Sequence, residues 1–390
     1  MLCVSCTDVP EDVKSRTEAH ESRVSAAAED SKALEEQGFD PKAKVPLEEV
    51  KKELEGYSFK KHDNLAFKCV PEPIAAENVY DIKMTYGLNT EAGKEDFERM
   101  KALNKTVFDR DIPDSLIQVN YYSKDMVEAV DNDNCLNYGM LSHGSPSFEL
   151  YNFDNDLIES VTDIVLESFS LDSYPKDAVK MIHGGEFTVD KAIEQADGIL
   201  KKLEEINAFD KGETHKLSHI GVGDYQGKGN MIVVHYSQCR YGIPVEDANV
   251  CTSQTRTSFF EVWFYGDNDP FVITNFCSGY ETESSALDDI IPLSGAEVLA
   301  ADGLAPEMVY DVTDAELRYL CLWDINDLKE VIEYHPVWCF TLEELPEIWY
   351  GRYFERKMLY VDAVTGELYF CDPTMGLFLT SEEMKPDEEG

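Results

Sequence analysis

The chain has 390 residues, of which 43% are hydrophobic and 11% aromatic, and this composition excludes a wholly disordered protein. Thirty-four Lys and Arg stand against 77 Asp and Glu, which gives a formal net charge of −43. Because that charge repels phosphate backbones and no basic patch offsets it, nucleic-acid binding is excluded. The sequence also has no apolar run of about 18 residues, the length that a membrane-spanning helix needs.

The first 45 residues are expected to form a disordered acidic tether, because residues 7–45 contain few large apolar side chains. The opening letters MLCVSC are similar to the end of a lipoprotein signal, in which the small residue Ser5 precedes a Cys that receives lipid. This pattern predicts lipidation at Cys6 and an extracytoplasmic, membrane-anchored protein. The alternative is a chance match at the start of a cytoplasmic protein. Residues 381–390 are expected to form an acidic tail.

Residues 46–165 predict an N-terminal α+β domain with a largely antiparallel sheet. The letters GKEDFERMKALNKTVF, at 93–108, indicate a helix. Strands are predicted where apolar and polar residues alternate and β-branched or aromatic side chains are frequent, in NLAFKCV (64–70), NVYDIKMTYG (78–87), SLIQVNYYS (115–123) and FELYNF (148–153).

Residues 186–281 predict a module in which one helix lies on an antiparallel meander. The helix is expected from Thr188 to Ile206, with Thr188 as N-cap. Its apolar residues recur at the helical spacing that gives one buried stripe: Val189, Ala192, Ile193, Ala196, Ile199, Leu200, Leu203 and Ile206. Strand-like segments follow, and GVGDYQGKG (221–229) is expected to be a hairpin tip between two of them.

Residues 294–380 predict a second module of the same order. SGAEVLAADGL (294–304) indicates a short helix, and the later segments are rich in strand-forming residues. YVDAVTGELYF (360–370) predicts a hairpin whose turn runs from Asp362 to Gly366. Trp263 and Trp338 stand in apolar segments and are expected in core strands.

Three short motifs in the same order carry a resemblance to a known family. A helix of the TVDKAIEQADGIL type precedes YGIPVED (241–247), and HPVWCF (335–340) precedes YVDAVTGELYF. This arrangement resembles PepSY-like modules, in particular the YycI-type extracytoplasmic regulatory proteins, and the chain is similar to uncharacterised surface lipoproteins of Gram-positive anaerobes. The resemblance implies an α+β fold with PepSY-like helix-on-meander modules, and binding or regulation of a protein or peptide partner rather than catalysis. It supplies no catalytic residues.

A metal-dependent hydrolase is the alternative function. HGGE (183–186) and HKLSH (215–219) place His183, Glu186, His215 and His219 as nitrogen and oxygen ligands for a transition metal. His215 and His219 share a face in a regular helix or strand. The competing interpretation is a turn before a helix and a polar start of a strand. We expect no cofactor, a protein or peptide partner, and contact with a membrane only through a lipid on Cys6.

Overall fold

The computed structural model describes most of the chain from residue 39 onward. The described residues are 39–87, 94–109, 111–114, 117–120, 126–131, 136–141, 148–151, 153–154, 165–182, 184–224, 227–246, 259–265, 270–275, 281–304, 309–326, 329–343, 357–372 and 377–380. They form an α+β fold with mostly antiparallel sheets. None of the helices in these ranges is both long and apolar enough to cross a membrane.

Among the described residues, the longest strands lie in the second half of the chain. The helices are α1 (Leu47–Leu54), α2 (Lys94–Phe108), α3 (Val189–Glu205) and α4 (Leu293–Gly303). The strands are β1 (Val45–Pro46), β2 (Leu65–Phe67), β3 (Tyr80–Gly87), β4 (Ile117–Asn120), β5 (Met126–Asp131), β6 (Leu136–Leu141), β7 (Phe148–Tyr151), β8 (Phe153–Asp154), β9 (Val165–Ser170), β10 (Val179–Lys180), β11 (Glu186–Phe187), β12 (Glu213–Asp224), β13 (Asn230–Arg240), β14 (Ile243–Pro244), β15 (Phe259–Phe264), β16 (Pro270–Asn275), β17 (Glu281–Ala286), β18 (Asp289–Ile290), β19 (Tyr310–Asn326), β20 (Lys329–Glu343), β21 (Lys357–Asp362), β22 (Leu368–Asp372) and β23 (Leu377–Thr380).

The first of two compact units comprises the described residues of Met1–Ala75, Leu287–Arg318 and Pro336–Gly390. In it, residues 337–342 of β20 pair with β21, β21 pairs with β22 and β22 pairs with β23, all antiparallel. Residues 310–312 of β19 pair in parallel with β2, and β1 pairs antiparallel with β18. Trp338 is fully buried, and its indole Nε1 donates a hydrogen bond of 2.9 Å to the carbonyl oxygen of Ile291. The prediction of a core strand residue at Trp338 is confirmed.

The hairpin predicted at 360–370 forms between β21 and β22. Val361 pairs with Leu368, and Oδ1 of Asp362 accepts hydrogen bonds from the backbone N–H groups of Val364 and Thr365, each at 2.7 Å. Gly366 has a φ of +72°, a left-handed conformation that glycine adopts without strain. The Asp side chain and the glycine therefore close the turn where the sequence indicated it.

The second compact unit comprises the described residues of Ala76–Ala286 and Tyr319–His335. Its largest sheet has the strand order β7-β16-β15-β13-β12-β9, with β14 paired to β13, and neighbouring strands are antiparallel. A smaller sheet has the order β4-β5-β6-β8. β3 pairs with β17 on one side and with residues 329–334 of β20 on the other. The hairpin tip predicted near residues 221–229 joins β12 to β13, which pair from Asp224 and Asn230 onward.

Helix α3 packs on this large sheet, as the sequence predicts. Its apolar stripe joins a buried cluster that also contains Val234 and Tyr236 of β13 and Phe260 of β15. The Thr188 side chain accepts a hydrogen bond of 3.2 Å from the N–H of Lys191, so the predicted N-cap is confirmed. Ile206 is 44% exposed, because the helix ends at Glu205.

Both compact units consist of stretches that are separated along the chain. Strand β7 lies in the expected 46–165 domain, yet it pairs with β16 of the expected 186–281 module. The second unit also includes residues 319–335, which were assigned to the expected 294–380 module. Segments distant in sequence therefore share one unit, since strand pairing joins residues irrespective of their separation along the chain.

Candidate functional site

Strand β12 contains two of the predicted metal ligands, His215 and His219, but turns them to opposite faces of the sheet. The register against β13 shifts between Leu217 and His219, which marks a bulge. The ring of His215 lies 5.5 Å from that of Phe260, in the core beneath α3. The ring of His219 stacks on that of His235, with the centroids 4.0 Å apart. The shared face expected of a regular strand is lost at the bulge.

Of the other two residues of the predicted metal site, only Glu186 lies in the described part of the chain. Glu186 is exposed in β11, where it pairs with Lys180, and His183 lies outside the described residues. Within the part of the chain that the structure describes, no three His, Cys, Asp or Glu side chains are grouped so that they would hold a metal ion. Cys6, the predicted lipid-bearing residue, also lies outside the described residues.

A buried histidine that the sequence did not single out lies on the sheet face opposite α3. His235 of β13 is 2% exposed, and its Nδ1 lies 2.7 Å from Oε1 of Glu261 in β15. Oε2 of Glu261 accepts a hydrogen bond of 2.8 Å from Nε1 of Trp263. The carboxylate thus fixes the orientation of the imidazole, an arrangement found in general bases and around metal ligands. Only the register of β13 against β15 reveals this pairing, and sequence spacing does not contain it.

The face beneath α3 carries a second cluster of charges, around Arg240 at the end of β13. Arg240 is 1% exposed; its Nη2 lies 3.2 Å from Oδ2 of Asp210 and its Nη1 lies 3.4 Å from Oε2 of Glu213. Its guanidinium carbon lies 5.5 Å from the centroid of the Tyr334 ring. Burial alone would raise the pKa of Glu213, but Arg240 and then His215 hold it below its usual value. The cluster therefore keeps its carboxylate ionised inside the protein.

The first unit has a buried carboxylate of its own, Glu297 on α4. Glu297 accepts hydrogen bonds from the Tyr57 hydroxyl and, at 2.6 Å, from the backbone N–H of Lys60, and it lies 2.7 Å from Nε2 of His62. Burial and the hydrogen bond to Glu297 raise the pKa of Tyr57, so the phenol stays protonated. These contacts hold the segment between α1 and β2 against helix α4. The buried carboxylate of Glu297 therefore has a structural role.

Strand β9 is the last strand at one end of the large sheet among the described residues. It pairs with β12 through residues 165–170, and within the described ranges no strand pairs with its other edge. Glu167, Ser168 and Ser170 are exposed, as are Leu166 at 36% and Leu171 at 38%. Proteins commonly protect such edges with Pro, Lys or a bulge. β9 has no Pro or Lys, and its register against β12 is regular.

No family model matches the chain, and no curated protein matches it. Among solved structures, the chain is similar to the crystal structure of an uncharacterized protein from Eubacterium rectale ATCC 33656. The TM-score is 0.51 and the sequence identity 15%, and the similarity covers 85% of this chain and 100% of that chain. At this identity the similarity shows a shared fold alone.

Proposed function

We propose that the chain is a non-catalytic binding module that takes up an extended protein or peptide segment along the open edge of β9. The observation that carries the proposal is this edge, which has a regular six-residue strand and no partner strand on its outer side among the described residues. The PepSY-like resemblance supports a binding or regulatory role. The alternative, a metal-dependent hydrolase, has less support, because His215 and His219 lie on opposite faces of the sheet.

The backbone chemistry of β9 suits strand addition. Along an antiparallel strand, successive residues direct their N–H and C=O groups to alternate edges, so half of the β9 groups point away from β12. A segment added there gains main-chain hydrogen bonds, while side chains at alternate positions provide selectivity. Leu166 offers an apolar contact on one face of the edge, and Glu167, the next residue, offers a carboxylate on the other.

The charge of the molecule determines the kind of segment that fits. The net charge of −43 repels acidic partners and attracts basic ones. We therefore propose an extended segment in which basic residues alternate with apolar or β-branched ones. The proposed location is extracytoplasmic, with a lipid on Cys6 as the membrane anchor, because binding modules of the resembled family lie outside the cytoplasm.

The proposal is tested with two labelled peptides of about ten residues. In one, lysine alternates with valine and threonine, and in the other each lysine is replaced by glutamate. Fluorescence anisotropy is expected to show binding of the basic peptide, weakened as salt screens the charges, and no binding of the acidic one. Equal binding of both peptides, or of neither, contradicts the proposal.

Two proline variants separate edge pairing from general attraction. Glu167 and Ser168 are neighbours, so they direct their N–H groups to opposite edges of β9. Proline removes that N–H. One of Glu167→Pro and Ser168→Pro is expected to lose peptide binding with an unchanged urea midpoint, while the other loses a hydrogen bond to β12 and with it stability. If both variants bind the basic peptide as the native chain does, the peptide is not held at this edge.

A further inference from the structure

Two cross-strand pairs of polar side chains lie side by side on the face of β12 and β13 beneath α3. Glu213 pairs with Arg240, and His215 pairs with Gln238. Tyr236 belongs to the same face, and its hydroxyl donates a hydrogen bond of 2.7 Å to Asp197 of α3. The four polar side chains are therefore inside the protein, on the side of the sheet that the helix covers.

The second of these pairs has polar atoms without protein partners. Gln238 is 0% exposed, and neither its Oε1 nor its Nε2 has a hydrogen-bond partner among the described residues. The His215 side chain is also 0% exposed; its Nε2 lies 3.2 Å from Oε1 of Glu213, and its Nδ1 has no partner in the same ranges. Buried polar atoms without partners are costly, and native proteins satisfy nearly all of them with protein groups or ordered water.

The residues around Gln238 and His215 determine which kind of molecule could hydrogen-bond to their polar atoms. The rings of Phe209 and Phe260 have centroids 4.5 and 5.5 Å from that of His215, so the neighbouring walls are apolar. The neighbouring charges of Glu213 and Arg240 have opposite signs and already compensate each other. A charged ligand would add an uncompensated buried charge. A neutral partner is therefore expected. The amide of Gln238 supplies one acceptor and two donor hydrogens, so a molecule that both donates and accepts hydrogen bonds would satisfy it.

We propose that Gln238 and His215 bind ordered water, which lies beside the strand pair β12–β13 and next to the rings of Phe209 and Phe260. Water is the smallest neutral molecule that donates and accepts together, and it commonly bridges buried polar groups that have two or more partners to offer. The complete burial of both side chains favours it over any larger ligand. This site is independent of the β9 edge and serves the second unit as an internal polar bridge.

The substitution Gln238→Met tests the proposal by the sign of its effect. Methionine keeps the length of the side chain and removes both amide atoms. If water bridges Gln238 and His215, the variant loses those bonds, and the unfolding equilibrium constant measured in urea is expected to rise about tenfold. If nothing occupies the site, the variant removes two unsatisfied atoms and is as stable as the native chain or more stable, which overturns the proposal.

A control and a direct measurement complete the test. Glu194→Met places methionine at an exposed position of α3, where methionine is also a good helix former, and its unfolding constant is expected to stay within about twofold of the native one. A high-resolution crystal structure of the native chain is expected to show a single-oxygen density peak about 2.7–3.2 Å from a Gln238 amide atom. A site without density, or density of an organic molecule there, overturns the proposal even where the variant fails to fold.

Discussion

Among single residues, Glu213 has the clearest acid–base consequence. Burial works to raise the pKa of this carboxyl, whereas the guanidinium of Arg240, 3.4 Å away, and the imidazole of His215 hold it below the usual value. A carboxyl with a lower pKa in the folded than in the unfolded chain stabilises the fold above its unfolded pKa of about 4.3. That stabilisation is lost as the pH falls through the folded pKa.

We expect Glu213→Gln to remove this proton-linked part of acid unfolding. From about pH 5 downward, the free energy of unfolding of the native chain should fall more steeply than that of the variant. At neutral pH the variant should be less stable, because Arg240 loses one of its carboxylate partners. Urea unfolding at a series of pH values measures both effects. The exposed Glu186→Gln is the control and should keep the native slope, whereas a Glu213→Gln curve parallel to the native one would contradict the prediction.

Residue types could be read from the sequence, but their partners could not. The spacing of His215 and His219 predicts a shared face only if β12 is regular, and one extra residue at the bulge reverses the relation. The contacts of His235 with Glu261 and of His215 with Gln238 depend on the register of neighbouring strands. Register is fixed by the packing of whole strand faces, so local spacing does not reveal it.

Among the structural elements, two glycines show that the effect of a Gly→Ala substitution on stability depends on the backbone conformation. Gly366 closes the β21–β22 turn with a φ of +72°, and a Cβ there would lie 3.1 Å from Cδ1 of Leu299. Gly198 lies inside α3, and a Cβ there would meet no atom within 4 Å. Alanine is strained in the first conformation and favoured in the second.

We therefore expect substitutions of opposite sign at these two glycines. Gly366→Ala should lower the free energy of unfolding by about 1 kcal/mol, because alanine resists a positive φ. Gly198→Ala should raise it by about 1 kcal/mol, because alanine is the better helix former. Urea unfolding followed by circular dichroism measures both, and each variant is the control for the other. A stabilising Gly366→Ala would show that the turn does not need its left-handed residue.

Elements whose structure depends on residues close together in sequence could be predicted. The stripe and N-cap of α3 and the turn of the 360–370 hairpin depend on residues within a few positions of one another. The end of α3 was less predictable. The apolar periodicity extends to Ile206, but Asn207 has a positive φ of 54° and the chain turns away before the stripe is complete.

At the scale of the whole molecule, the division into units was the least predictable feature. Each compact unit gathers stretches that are not adjacent along the chain. In the first unit, 211 residues lie between Ala75 and Leu287, and in the second, 32 residues lie between Ala286 and Tyr319. Composition changes along a chain identify boundaries only when domains are continuous. Here each unit is discontinuous in sequence, so local composition does not mark its boundaries.

The net charge and the N-terminal letters together lead to a prediction about location. A molecule with a charge of −43 is repelled by an anionic membrane surface, so it would need a covalent anchor to stay there. Two acyl chains supply stable anchorage where a single chain binds only weakly. The pattern in which Ser5 precedes Cys6 predicts such an anchor at Cys6, and the nearby Cys3 provides a matched residue that should not carry lipid.

We expect a clickable palmitate analogue, fed to the native host, to label the chain and to leave it in the membrane fraction. Cys6→Ala should abolish the label and release the protein from the membrane, because the thiol that receives the lipid is gone. Cys3→Ala should retain both label and fractionation, since it lies outside the lipidated position. In-gel fluorescence of the purified chain measures the label, and immunoblotting of cell fractions measures the location. A chain that stays unlabelled in the cytoplasm, or label that persists in Cys6→Ala, would reject the anchor and with it the proposed extracytoplasmic location.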